Sequence, residues 1–142
     1  MVETQFRFRD DDTVADPAVT VDAFAQQTNA TAVRVEPGDD ASLLVPFLNR
    51  LKLVEVNFPA YTDGRGYSAA RSLREAGYTG ELRAVGDVLI DQLAYMRRCG
   101  FDSFAPQQAL NAADADAAFN RYPDVYQATT DGRAPIWKLR HG

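Results

Sequence analysis

Strand and helix signals that alternate along residues 53–104 predict an α/β fold, built from short βα units around a mainly parallel sheet, open or forming part of a (βα) barrel. Three observations carry that reading. Leu53–Phe58 is a β-rich run stopped by Pro59, and Gly80–Val85 and Phe101–Phe104 are two more such runs. Between them, Tyr67–Ala76 has a helical pattern closed by Gly77, and a second helix runs from Val88 to about Arg98 with Asp87 as its N-cap and Gly100 as its C-cap. The connections are long enough for right-handed crossovers and too long for hairpins.

The flanks are read with the same rules. Thr4–Arg9 alternates polar and aromatic residues before Asp10-Asp11-Asp12, as an edge strand running into a solvated turn would. A short helix after Pro17 and a strand over Thr31–Val35 follow, then the turn Pro37-Gly38-Asp39-Asp40. Leu44, Phe47, Leu48 and Leu51 recur at helical spacing, and Pro46 fits only a first turn, so a short helix is expected to start near Val45. Ala112–Asn120 supplies the last helix. The tail 122–142 carries Tyr126 and Trp137, bulky residues expected to pack on the body or on a partner subunit.

With 142 residues, 46% of them hydrophobic and 25% charged, the chain suits one domain spanning 1–142. It holds no run of eighteen apolar residues, and MVETQFRFRD lacks the basic-then-apolar layout of an export signal, so a cytoplasmic protein without a membrane span is expected. One cysteine, Cys99, and one histidine, His141, cannot build a disulfide scaffold, a structural zinc site or a histidine triad. A net charge of −5 argues against nucleic acid as a partner, since that needs a basic face.

In parallel α/β folds, ligands gather at the carboxyl ends of the strands, which directs attention to Pro59–Ser68 and Gly86-Asp87. The first loop reads Thr62-Asp63-Gly64-Arg65-Gly66-Tyr67-Ser68. Two glycines, a helix start, an arginine fork and a hydroxyl are the ingredients of an oxyanion site formed by Asp63, Gly64, Arg65, Gly66, Tyr67 and Ser68. The same string also reads as a capped turn in which Asp63 or Ser68 satisfies backbone amides and Arg65 is solvated. It is neither a Walker loop, lacking Gly-Lys-Ser/Thr, nor a dinucleotide fingerprint, which would need glycine at Ala69.

Arg83 alternates onto the strand face opposite Leu82 and Ala84 and needs a carboxylate partner, for which Asp63 and Asp87 are the expected candidates; otherwise its fork joins Arg65 in the anion pocket. Asp63, Arg83 and Asp87 are the candidate catalytic residues; Asp63 with Asp87, or Asp87 with Asp91, are the pairs that acid or base work would use, and Asp87 and Asp91 also have ordinary roles as cap and surface partner. Asp91, Tyr95 and Arg98 share one helix face as a surface strip. Cys99, at a helix C-terminus, reads as buried and inert. No metal ligand set and no redox cofactor motif is present.

Phe58-Pro59-Ala60-Tyr61-Thr62-Asp63-Gly64-Arg65-Gly66-Tyr67-Ser68-Ala69-Ala70-Arg71, with Gly80–Leu89, Asp91-Gln92-Leu93 and Arg98-Cys99-Gly100-Phe101-Asp102, resembles the bacterial domain-of-unknown-function family 934. Its members are small cytoplasmic proteins often labelled oxidoreductases of sulfite reduction. The resemblance implies an association with assimilatory sulfite reduction, as an accessory protein of sulfite reductase or of another sulfur-assimilation protein. A small enzyme or binding module for an oxyanion, or for a phosphorylated or sulfated metabolite, is the other expectation. Short βα units that leave sheet edges uncovered also lead us to expect a homo-oligomer.

Overall fold

The computed structural model describes residues 4–14, 16–26 and 29–120. Six strands form one sheet: β1 (Phe6–Arg7), β2 (Val19–Thr20), β3 (Ala32–Val35), β4 (Leu53–Phe58), β5 (Glu81–Gly86) and β6 (Ser103–Pro106). Their order across the sheet is β1-β6-β5-β4-β3-β2. Every neighbouring pair is parallel except β1 with β6, where Phe6 faces Phe104 and Arg7 faces Ser103 in antiparallel register. The sheet is open, so of the two architectures expected the barrel is not realised.

From β2 to β6 each strand lies beside its predecessor and the order never reverses. Right-handed crossovers stepping in one direction put every connecting helix on the same face. The helices are α1 (Val21–Gln26), α2 (Arg65–Glu75), α3 (Leu93–Cys99) and α4 (Ala112–Asn120), with a 3-10 segment over Ala41–Arg50. They touch in that sequence, α1 against the 3-10 segment, that segment against α2, α2 against α3, and α3 against α4. The core fills the space beneath them: Val33, Val35, Val54, Val56, Phe58, Leu82, Ala84 and Phe104 point from the strands toward Leu44, Leu73, Leu93, Met96 and Phe119. Alternation sends Arg34, Glu55, Asn57, Arg83, Val85, Ser103 and Ala105 to the opposite, helix-free face.

Two expected helices come out differently. The segment placed near Val45 is a 3-10 helix that begins four residues earlier, because Asp40 accepts hydrogen bonds from Ser42 N (3.0 Å) and Ser42 Oγ (2.6 Å) and starts the turn there. Pro46 then lies inside it, its missing N–H removing one rung of a ladder. The helix expected over 88–98 is broken into a single 3-10 turn, Ile90–Gln92, followed by α3. Gln92 replaces Asp87 as the capping group, its Oε1 accepting from Leu89 N at 3.0 Å. The C-terminal glycines behave as expected: Gly77 and Gly100 have φ of 102° and 112°. The expected docking of the tail, with Tyr126 and Trp137, lies outside the described residues. Among the described residues, no helix is long and apolar enough to cross a membrane.

Candidate functional site

The carboxyl ends of β3, β4 and β5 bring together Glu36–Asp39, Pro59–Gly64 and Gly86–Leu89. Where β4 enters α2, Asp63 turns back on Arg65: one carboxylate oxygen accepts from Arg65 N (3.0 Å) and Nε (3.0 Å), and the other from Nη2 (2.7 Å). The Arg65 guanidinium and amide together hold the Asp63 carboxyl down to about 2. The arginine fork is therefore neutralised within its own turn, and the free backbone amide at the helix start is capped by the same residue. The guanidinium nevertheless reaches open space. Arg65 is 65% exposed and lines a cleft of about 170 Å³ with Val35, Glu36, Gly38, Val56 and Gly66.

The two glycines of this loop do different work. A Cβ on Gly66 would lie 2.7 Å from the Phe58 ring and 2.9 Å from Val56, so Gly66 lets α2 press against β4. A Cβ on Gly64 would meet nothing within 4 Å. Gly66→Ala is therefore expected to cost about 1–3 kcal/mol in urea denaturation, while Gly64→Ala stays within about 0.5 kcal/mol of the parent. Tyr67 packs its ring against Phe58 (5.3 Å between centroids) and Tyr95 (5.1 Å), and burial raises its hydroxyl to about 12. Ser68 is exposed on the first turn of α2.

Arg83 does not join this cluster. It projects from the helix-free face, whereas Arg65 lines the cleft with Val35 and Val56 on the helix side. It is paired with carboxylates, as its burial demands, but not with Asp63 or Asp87. Its Nη1 donates to Glu55 and its Nη2 to Glu81, each at 3.1 Å. Glu55 faces Arg83 in the β4–β5 register and Glu81 lies two residues earlier on the same face, so strand geometry selects them over loop residues. The pairing continues outward. Arg34 donates to Glu55 at 3.1 Å, and Arg7 donates to Glu81 through Nε (3.2 Å) and Nη2 (3.0 Å). Burial alone would raise the Glu81 carboxyl, but Arg7 and Arg83 hold it below the usual range. Ser103 Oγ lies close enough to add to that effect while making no hydrogen bond of good geometry.

Asp87 serves the neighbouring loop, accepting from Tyr61 N at 2.9 Å. Gln92 completes the crossing, its Nε2 donating to Tyr61 O at 2.8 Å. These bonds fix Tyr61 beside Leu89. Of the strip predicted on α3, Arg98 lies over the Tyr95 ring at 5.9 Å, and Asp91 is at the surface. Cys99 is buried as expected, and burial pushes its thiol up against the opposing pull of Arg71 and Arg98. Among the described residues, no three His, Cys, Asp or Glu side chains group as a metal site.

Two features were not anticipated. The cleft draws nearly half its lining from Glu36–Asp39, and the signal for it was Gly38, whose φ of 91° makes the turn that lies beside Arg65 Nη1. The other is a pair of exposed apolar side chains, Tyr61 and Leu89, at 50% and 37% exposure, whose backbones are both bonded by the Gln92 side chain. Each read singly as ordinary sequence; only the crossing at Gln92 brings them together.

A family model described as bacterial protein of unknown function (DUF934) matches residues 32–137, well over half of the chain. The chain belongs to that family. Neither a search of curated proteins nor one of solved structures gives a match. The DUF934 match takes in β3 to α4 and with them the cleft, the Asp63–Arg65 turn and the Gln92 crossing.

Proposed function

We propose that this DUF934 protein is a cytoplasmic accessory protein of assimilatory sulfite reduction, working in contact with sulfite reductase or another protein of sulfur assimilation. The observation that carries the reading is the exposed lip formed by Tyr61 and Leu89 at the Gln92 crossing. Scattered apolar side chains on a surface need no explanation, but two joined through one hydrogen-bonded crossing have the character of a contact centre, and tyrosine is favoured in such places. The charged candidates, by contrast, are already engaged: Asp63 with Arg65, Arg83 with Glu55 and Glu81, Asp87 with Tyr61 N. The resemblance to family 934, whose members are often labelled with sulfite reduction, supplies the partner class.

The test is capture of sulfite reductase by the tagged protein, against a chain carrying Tyr61→Ala and Leu89→Ser. Wild type is expected to retain the reductase in fixed stoichiometry, and the double variant to bind at least about tenfold more weakly, as loss of a ~2 kcal/mol anchor implies. Equal retention, or none with wild type, overturns the proposal. Self-association through the same lip is the competing arrangement, and concentration-dependent sedimentation of the isolated protein would reveal it.

A second reading is favoured by the cleft, since an exposed guanidinium beside Gly38 and Gly66 suits a small oxyanion or the phosphate or sulfate group of a metabolite. Sulfite, sulfate or phosphate should then raise the melting temperature, and Arg65→Ala should weaken the effect about tenfold. Equal affinity in both chains rejects this reading.

A further inference from the structure

We propose that the outer surface of α2 and α3 is a docking site for an acidic segment of a partner protein, held by Arg71 and Arg98 around the ring of Tyr95. The inference does not depend on the sulfite-reduction reading. Among the described residues, Arg7, Arg9, Arg34, Arg65, Arg74 and Arg83 each lie within ion-pair distance of a carboxylate. Arg71 and Arg98 do not, although the chain carries 20 acidic residues against 15 basic ones. Glu75, four residues after Arg71, is the customary helix partner, and Asp91 shares the face of Arg98; among the described residues neither is ion-paired with them.

The two guanidinium groups converge on one place. Arg71 Nη2 donates to Tyr95 Oη over 3.4 Å, a long bond that leaves most of its donors unused. Arg98 lies over the same ring, 5.9 Å from its centre. Both also pull on the thiol of buried Cys99, as groups gathered around a single spot would. The ring between them is braced, since Tyr95 packs on Tyr67 (5.1 Å), Tyr67 packs on Phe58 (5.3 Å), and α2 lies against α3. A fixed aromatic centre, 42% exposed and flanked by two unpaired forks, gives up little freedom when something binds to it.

Charge decides the kind of partner. Two like charges held side by side repel, and carboxylates laid along them remove that cost. Clusters of arginine are a recurring means of reading acidic motifs in proteins. A nucleic acid or an anionic bilayer would meet only these two cations here, and the net charge of −5 opposes its approach; a lipid-binding patch uses about four to eight. A short acidic stretch of a protein carries charge enough for two forks and lays its aliphatic stems on the tyrosine ring.

The probe is a dye-labelled hexaglutamate peptide, followed by fluorescence anisotropy at low ionic strength. Wild type is expected to bind it, and Arg71→Gln with Arg98→Gln to weaken binding at least about tenfold. Arg50→Gln with Lys52→Gln removes the same charge at exposed positions outside the patch and is expected to change affinity less than about twofold. Equal weakening by the two pairs, or no binding by wild type, overturns the proposal. Unlabelled hexaglutamate should displace the probe. Inorganic phosphate that does so at the same concentration overturns the proposal in favour of a small anion, and a labelled oligouridylate bound as tightly as the peptide overturns it in favour of nucleic acid. Sedimentation of wild type alone covers a second copy: dimerisation abolished by the Arg71 and Arg98 changes means that the chain itself occupies the patch, which likewise overturns the proposal. Neither arginine is ion-paired, so the glutamine pair is expected to melt with wild type. Should it melt lower, Arg71→Lys with Arg98→Lys keeps both charges and decides: affinity within about threefold of wild type supports the proposal, and affinity as low as in the glutamine pair overturns it.

Discussion

Glu81→Ala is expected to cost about 3–5 kcal/mol, the penalty for stranding buried charges whose partner has been removed. Glu81 is 1% exposed and stands between Arg7 and Arg83, so its loss leaves two guanidinium groups facing each other across the gap. A domain of this size has about 5–15 kcal/mol to lose, so the urea midpoint should fall by about a fifth or more. The same carboxylate gives a pH signature. Its folded value lies below the ordinary 4.5, so the stability it contributes is complete above the unfolded value and is lost as pH falls through the folded one. Wild type should therefore weaken on acidification more than Glu81→Ala, and the gap between them should narrow. A gap that stays constant from neutral to acid pH would show that Glu81 contributes through packing and not through its charge.

Gly86→Ala is the second large effect, about 2–4 kcal/mol. Gly86 has φ of 94°, and a Cβ there would collide with the Phe58 carbonyl and come within 2.6 Å of Asn57 Oδ1. Backbone cannot yield as a side chain can, since Phe58 O is held by Asp87 N at 2.7 Å, and Gly86 O accepts from Gln107 N at 2.7 Å. Gly38 has a similar φ of 91°, but its nearest neighbour is the end of Arg65 at 3.7 Å, so Gly38→Ala meets strain without collision and should cost less. Melting curves of the two variants compare them directly. A Gly86→Ala chain as stable as Gly38→Ala would mean that the strand end can shift without loss.

The central part of this architecture could be read from the chain because its signals are local. Leu53–Phe58 and Glu81–Gly86 are β-rich runs whose alternate residues enter the core, and Pro59 or Gly80 at one end marks where each strand is bounded. Val19–Thr20 escaped notice because two residues carry no period, and Ala41–Arg50 was misread because helical spacing does not separate a 3-10 from an α-helix. The partners of Arg83 needed register, and nothing local sets which residue of β4 lies opposite which of β5. The loop 62–68 was read as either a capped turn or an anion site; Asp63 does cap it, and the cleft beside Arg65 depends on Glu36–Asp39, distant in sequence. The exposed lip was invisible for the same reason, being assembled by the side chain of Gln92.

The antiparallel pairing of β1 with β6 also bears on how the protein comes off the ribosome. Residues 4–9 are made first, yet their ladder partner is Ser103-Phe104, and the ring that packs against Phe6 and Phe8 is Phe119. At translation speeds of about 5–20 residues per second, two phenylalanines stay without their native neighbours for roughly 5–20 s. Meanwhile β2 to β5 can pair one after another in the order of their emergence, each on the edge just laid down. The first strand thus closes the sheet last, so a nascent chain stalled before residue 103 would present β5 as an open edge to any passing strand.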